Sequence, residues 1–342
     1  MNLNISKEYS INNNSFSIKS SDNKQLSIEL FNRILEILKI EKIKTISEYY
    51  ENLSSSMFNQ KISWKDFLSA NRKKEYNDYL KSSISNNLKF VTDYFYKYFP
   101  TRLKLFKRIY HLDADNPSIY KHSSTTGRLS IEKGINYLVM KKEHRNKLVS
   151  PLKNHNLFEV DFKSCEPNLY CRYFGLIPED VEDLYVFISE KINHNFKDRN
   201  KLKRAILSIL YGANENSVSK ISSIPVKKIK KIKEILNLKS FEESLRNEFS
   251  SNGFMKNMFG RPILSDSNLV NYWIQSSAAD FCCLAFEKFI SENTEFKLHA
   301  VIHDAIIISC PDISEEKLLG IKSLEFNNLS IPVKINRIWH NI

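Results

Sequence analysis

The chain has 342 residues, 51 Lys and Arg against 39 Asp and Glu, and a formal charge of +12. Hydrophobic residues at 42% and charged residues at 26% exclude a disordered or collagen-like chain and leave ample material for a core. No apolar run approaches the roughly 20 residues of a membrane helix. Met1–Ser20 lacks an apolar h-region and contains no Arg, so no secretory or mitochondrial signal is visible. The expectation is an intracellular, cytoplasmic protein without a membrane partner. The basic charge fits a polyanion, nucleic acid before acidic membrane, and fits a lysine-rich surface equally well. Five cysteines (Cys165, Cys171, Cys282, Cys283 and Cys310) show no C-x-x-C spacing, which favours reduced thiols over disulfides or zinc.

Residues 1–23, rich in Asn and Ser, read as a polar leader. From Lys24 to Pro100 the pattern is helical: Ile28, Phe31, Ile34, Leu35 and Leu38 recur at three-to-four-residue spacing. A second apolar run, Leu88 to Phe99, stops at Pro100. The texture changes after Asp113. Phe158-Glu159-Val160-Asp161-Phe162 alternates like a strand and precedes a helix that stops at Gly175. Residues 183–193 and 198–211 read as helices, the second with Asp198 as its cap. Residues 218–248 read as strongly basic helix, and its run Val226–Lys233 is either a solvated face or a nucleic-acid contact. A long helix follows at 269–291. His299–Ile302 and Ala305–Ile308 read as strands joined through His303-Asp304, and Ile331–Ile335 as a closing strand.

Asp161 and Asp304 each end an apolar strand. Two such carboxylates, if they meet, suit a pair of Mg²⁺ ions, because hard cations take oxygen ligands and paired metals serve phosphoryl transfer. Two-residue hairpins favour Asn-Gly or Gly-X, so a bulky His303-Asp304 turn suggests strain tolerated for function. On the helix from 198, Arg199, Lys203, Leu207 and Tyr211 follow at four-residue steps. Two cations, an apolar side chain and an aromatic over roughly 18 Å suit a nucleoside triphosphate. An ordinary amphipathic helix with two solvated cations would read the same way.

Together these stretches resemble the A family of DNA polymerases, the bacterial polymerase I type, from about Ser123 to Trp339 and in the family's order. Thr126-Gly127-Arg128-Leu129-Ser130 is similar to the T-G-R-L-S segment that lies on primer-template. Val160-Asp161-Phe162-Lys163-Ser164-Cys165-Glu166 is similar to motif A. Arg199-x3-Lys203-x7-Tyr211-Gly212 resembles motif B, R-x3-K-x7-Y-G. Gly260-Arg261-Pro262, Asn271 and Ile274–Asp280 resemble the G-R-x segment and the Q-G-T-A-A-D helix. Val301-Ile302-His303-Asp304 resembles motif C, V-H-D-E, and Ile331–Ile335 the C-terminal strand. The chain departs from the pattern at Leu207 (an aromatic in the family), Ser208 (Gly), Ala305 (Glu), Ser267 (Arg) and Tyr185 (His).

The resemblance implies an α+β right-hand fold with an antiparallel palm sheet, helical fingers and a reduced, helical, thumb-like N-terminal region. Its parts would be residues 1–115 for that region, 116–175 and 259–342 for the palm, and 176–258 for the fingers. It implies a template-directed DNA polymerase lacking a proofreading exonuclease, compatible with a phage or other mobile element. Asp161, the Phe162 carbonyl and Asp304 would hold two Mg²⁺ ions. Arg199 and Lys203 would neutralise the triphosphate, with Lys203 counted among the catalytic residues beside the aspartates. Leu207, Tyr211, Glu166 and Tyr185 would line the nucleotide site, with Glu166 and Tyr211 bounding the sugar. Arg128, Asn271, Gln275 and His303 would touch DNA. Partners would be primer-template DNA, deoxynucleoside triphosphates and accessory replication proteins. A single-subunit RNA polymerase shares the palm and motif B, but Glu166 and the T-G-R-L-S segment argue against it. A catalytically silent nucleic-acid-binding relative is opposed by the retained Asp161, Arg199, Lys203 and Asp304.

Overall fold

In the computed structural model of the chain, residues 8–12, 15–19, 25–27, 61–63, 94–110, 118–122, 126–148, 152–193, 199–252, 254–263, 265 and 267–338 are described. The chain divides into two units, residues 1–99 with 246–266, and residues 100–245 with 267–342. Described residues are a mixture of helix and antiparallel sheet. Among them, no helix is long and apolar enough to cross a membrane.

The first unit departs from the sequence reading. In place of a leader, and at two points of the stretch read as helical, it carries strands β1 (Glu8–Asn12), β2 (Ser15–Lys19), β3 (Gln25–Ser27) and β4 (Lys61–Ser63) in an antiparallel sheet ordered β3-β2-β1-β4. Tyr94–Tyr98 is helical as read. Their signal is a period of two, Tyr9 and Ile11, then Phe16 and Ile18, obscured by the surrounding Asn and Ser. The helical pattern at Ile28–Leu38 lies outside the described residues. In the same unit, Asn257 builds the turn of the Gly260-Arg261-Pro262 segment. Its side-chain oxygen accepts the N–H groups of Phe259 and Arg261 at 2.9 Å each, and Gly260 takes the left-handed φ of 87° that the turn needs. The Arg261 guanidinium lies 4.8 Å from the Tyr94 ring centroid and donates to its hydroxyl.

The second unit opens with helix α1 (Phe99–Lys107) and the hairpin of β5 (Ile119–His122) and β6 (Leu129–Lys133). Helix α2 (Lys142–Leu148) leads to β7 (His155–Phe162), the middle strand of a five-stranded antiparallel sheet. Beside it on one flank are β9 (Ala305–Pro311) and then β8 (Lys297–Ile302). On the other are β11 (Leu329–Ile338) and then β10 (Ser323–Phe326). Period two splits β7 between two environments. Phe162 packs against Phe281 and Phe286 at ring separations of 5.5 and 4.9 Å. Both belong to α9 (Leu269–Glu292), a helix buried nearly all round, whose apolar residues occupy several faces rather than one stripe. From the alternate set, Leu157 joins Ala300, Ile302, Ile307 and Ile338 in a core cluster. Asp161 and Glu159 share that second face.

Between β7 and α9 run α3 (Cys165–Tyr173), α4 (Leu184–Lys191) and α5 (Arg199–Leu210). The stretch read as helical at 218–248 is helical, in three pieces: α6 (Glu215–Ser222), α7 (Val226–Ile235) and α8 (Leu238–Asn252). Its breaks have local causes: Ser223 and Asn237 adopt left-handed φ of 60° and 48°, and Pro225 can start a helix but not continue one. Ile229 and Ile232 face inward, whereas Lys227, Lys230 and Lys231 are exposed.

Trp273 ties this part of the unit together. It contacts Tyr173, Phe174 and Phe241 at ring separations of 5.4, 5.6 and 5.0 Å, joining α3, α8 and α9. Trp273→Ala should therefore lower stability by about 3–5 kcal/mol. A drop in urea midpoint with an unchanged m-value would report it.

Candidate active site

Strand pairing decides the central feature. In β7–β9 register Asp161 stands opposite Ala305, and the Phe162 N–H donates to the Asp304 carbonyl at 3.0 Å. The two aspartates, far apart in sequence, are thus held at neighbouring strand ends. The turn between β8 and β9 is the two residues His303-Asp304, closed by the Ile302–Ala305 pair. His303 adopts φ 53°, left-handed and costly for a residue with a Cβ. Ser164, at the exit from β7, is left-handed too, at φ 50°. Two strained residues flank the aspartates.

Electrostatics follow from this enforced proximity. Burial, then the Asp304 and Glu159 charges, push the Asp161 carboxyl from 3.8 up to about 7, against the opposing pull of Lys142 and Lys203. Asp304 is also raised, by burial and then by Glu166, with its own backbone N–H the strongest opposing influence and Arg128 behind it. The turn is exposed to solvent, and Asp304 lines a cavity together with Glu166 and Arg128. Burial, then the neighbouring Arg128, lowers the His303 pKa, so its ring is neutral at pH 7. Among the described residues, no group of three or more His, Cys, Asp or Glu is gathered as for a closed metal cage. Two neighbouring carboxylates are hard oxygen donors of the kind that could bind a divalent cation.

Glu166, in the first turn of α3, does more than favour the helix N-terminus. One carboxylate oxygen pairs with Arg128 and the other accepts the Tyr211 hydroxyl proton. Burial, then the hydrogen bond to Glu166, raises the Tyr211 phenol well above its ordinary range, so it remains a donor. Arg128 stands at the entry to β6 and Tyr211 just past α5. A single carboxylate therefore bridges a turn and the far end of another helix.

The stripe on α5 is divided in its environment. Lys203 is half-buried and near enough to Asp161 to lower its pKa. Leu207 is half-buried one turn further on. Arg199 pairs with Asp183 at 2.6 Å and lies 4.8 Å from the Tyr185 ring centroid. Burial pushes the Asp183 carboxyl up, but the Arg199 hydrogen bond and the N–H groups of Tyr185 and Val186 outweigh it and hold the pKa below the usual range. Tyr185 is buried, so it serves as a platform for Arg199. Asp198 lies outside the described residues, as does Trp339.

Gln275 donates to Asn271 at 2.7 Å along α9. Gln275, Arg128, Glu166, His303 and Asp304 line a cavity of about 160 Å³, whose back wall includes Cys165 and Cys282. Those thiols touch at 3.3 Å, and all five cysteines are free. Asn271 instead lines a neighbouring cleft of about 710 Å³ together with Tyr211 and Lys230.

One group escaped the sequence reading. Glu159, buried two residues before Asp161, pairs with Lys142 and, at 2.7 Å, with Arg145 of α2. The signal was available: period two puts Glu159 on the face of Asp161, and a buried carboxylate requires counter-ions.

No family model matches the chain, and no curated protein matches it. Among solved structures it is similar to the polymerase domain of Pol1 from M. smegmatis, in complex with DNA primer-template and dNTP. Identity is 12% and the TM-score 0.48, over 90% of this chain and 65% of that one.

The raised Asp161 pKa carries a stability consequence. Between 3.8 and about 7 the folded chain binds protons that the unfolded chain has released, so this carboxyl destabilises the fold increasingly as pH rises through that window. In chelator at pH 7.5, Asp161→Asn should melt above wild type by about 2–4 °C per kcal/mol of repulsion removed. The advantage should vanish near pH 4. Paired melting curves at the two pH values check this.

Proposed function

We propose that this chain is a template-directed DNA polymerase that extends a primer 3′ end by phosphoryl transfer. The observation that carries the reading is the convergence of Asp161 and Asp304 on neighbouring strand ends with Lys203 of α5 nearby and the Glu166–Tyr211 contact alongside. Strand-end carboxylates that repel one another, beside helix-borne cations, suit a triphosphate and its metal ions better than they suit a silent binding surface.

On this reading Asp161 and Asp304, with the Phe162 carbonyl, would hold two Mg²⁺ ions, whose positive charge would favour ionisation of the primer 3′-hydroxyl and departure of pyrophosphate. Lys203 and Arg199 neutralise the triphosphate, Arg199 exchanging its exposed pairing with Asp183 for phosphate oxygens. Leu207 and Tyr211 border base and sugar. Glu166, held by Tyr211, fills the space a ribose 2′-hydroxyl needs. Arg128, Asn271, Gln275 and His303 face primer and template, and the remaining positive charge serves sequence-independent phosphate contact. Residues 116–175 and 259–342 act as palm, 176–258 as fingers and 1–115 in place of a thumb. No proofreading activity accompanies the synthesis. Accessory replication proteins would be further partners.

Primer extension on a defined template with Mg²⁺ and each deoxynucleotide tests the assignment. Wild type should extend according to template, and Asp304→Asn should retain less than about a hundredth of that rate while binding DNA as before. Activity above a few per cent in Asp304→Asn would remove the two-aspartate mechanism. A mismatched 3′ end should persist, and shortening of a labelled primer by pure protein would reveal an exonuclease. Glu166→Ala should raise the ribonucleotide-to-deoxynucleotide ratio of kcat/KM by about a hundredfold. An unchanged ratio would falsify the sugar-gate role. Unprimed ribonucleotide synthesis by wild type would point instead to an RNA polymerase.

A further inference from the structure

Arg102 of α1 is wholly buried, and so is Asp280 of α9 with which it pairs. The same guanidinium donates to the Gly127 carbonyl at 2.9 Å. An ion pair this deep is weak evidence for stability, because desolvation consumes most of its attraction and a well-packed apolar pair often does as well. Geometry is what the guanidinium adds: one planar fork holds a helix carboxylate and a turn carbonyl together. Gly127 is buried with a left-handed φ of 69°, and the next residue is Arg128. Arg128 in turn pairs with the Glu166 carboxylate, whose other oxygen accepts from Tyr211.

We propose that Arg102 is a positioning residue for sugar selection: by clamping Gly127 to α9 it sets the direction of Arg128, and Arg128 sets the Glu166 carboxylate against Tyr211. This rests on the polymerase reading and extends it to a residue that touches neither substrate nor metal. Arg102 acts through three links, Gly127 backbone, Arg128 and Glu166. Glu166 alone could rotate about its side-chain bonds; pinned from both sides it has one position. Sugar choice, not substrate affinity, is therefore what loss of Arg102 should change.

The test uses the full chain. Arg102→Ala would strand the Asp280 carboxylate in the core, so the primary variant is the apolar pair Arg102→Met with Asp280→Leu. Single-nucleotide extension then measures kcat and KM for a deoxynucleotide and its ribonucleotide. Expected is a cooperative melt near that of wild type, a deoxynucleotide KM within about twofold, and a sugar-discrimination ratio lowered about tenfold. Adding Arg128→Ala should lower the ratio by less than about twofold further, because both changes break one chain of contacts. If the apolar pair fails to fold, Arg102→Lys, which keeps a cation opposite Asp280 but lacks the fork, carries the same test with a loss of about fivefold. A ratio within about twofold of wild type in the folded variant, or independent effects of the Arg102 and Arg128 changes, overturns the proposal. Wild type that extends no primer overturns the polymerase reading itself, a result read before any variant is compared.

Discussion

The register of β7 on β9 is the constraint on which the site depends. With Ala305 opposite Asp161 and the Phe162 N–H bonded to the Asp304 carbonyl, neither aspartate can retreat without breaking the sheet. A one-residue slip would turn Asp161 and Glu159 towards the aromatic side chains of α9. The sheet therefore holds like charges together at an energetic cost to the unliganded protein. That cost is visible in the Asp161 carboxyl, raised to about 7. Buried hydrophobic side chains on both faces of β7 offset it, and the whole arrangement favours arrival of positive charge.

The surrounding polar groups compensate in graded fashion. Glu159 is paired with Lys142 and Arg145, so its burial is satisfied inside the fold. Glu166 is divided between Arg128 and Tyr211. Lys203 is left to oppose Asp161 across the gap from α5. Arg199, at the other end of the helix, is half-exposed against Asp183 and Tyr185. This order, fully paired carboxylate, bridged carboxylate, then repelling carboxylates, concentrates unsatisfied charge at the aspartates alone. Functional sites are where such imbalance persists.

Much of the second unit was legible in the chain itself. The alternation at Phe158–Phe162, the apolar strands on either side of His303-Asp304, and the long helix from Leu269 all appear near their expected bounds. Those segments announce themselves because period and burial agree. The first unit was misread because short strands in Asn- and Ser-rich sequence carry too few apolar positions to outvote composition. Residues 218–248 are helical as their period indicates, though in three pieces. Their helical period is genuine, but two left-handed residues and a proline divide it, and φ is a property of the folded backbone rather than of composition.

Sequence by itself determined which residue types are available for chemistry and at what spacing: Asp161 and Asp304 at strand ends, and Lys203 and Tyr211 on one stripe of α5. Local periodicity encodes that much, since side-chain direction along one element follows from its repeat. Only the tertiary structure decided who meets whom. Arg128, read from its motif as a DNA contact, also pairs with Glu166. Tyr185, read as a nucleotide contact, lies beneath Arg199, and Arg102 is joined to Asp280 across 178 positions of chain. Contacts between distant residues depend on register, burial and the closing of loops, and these are fixed when the whole chain packs, not within any one element.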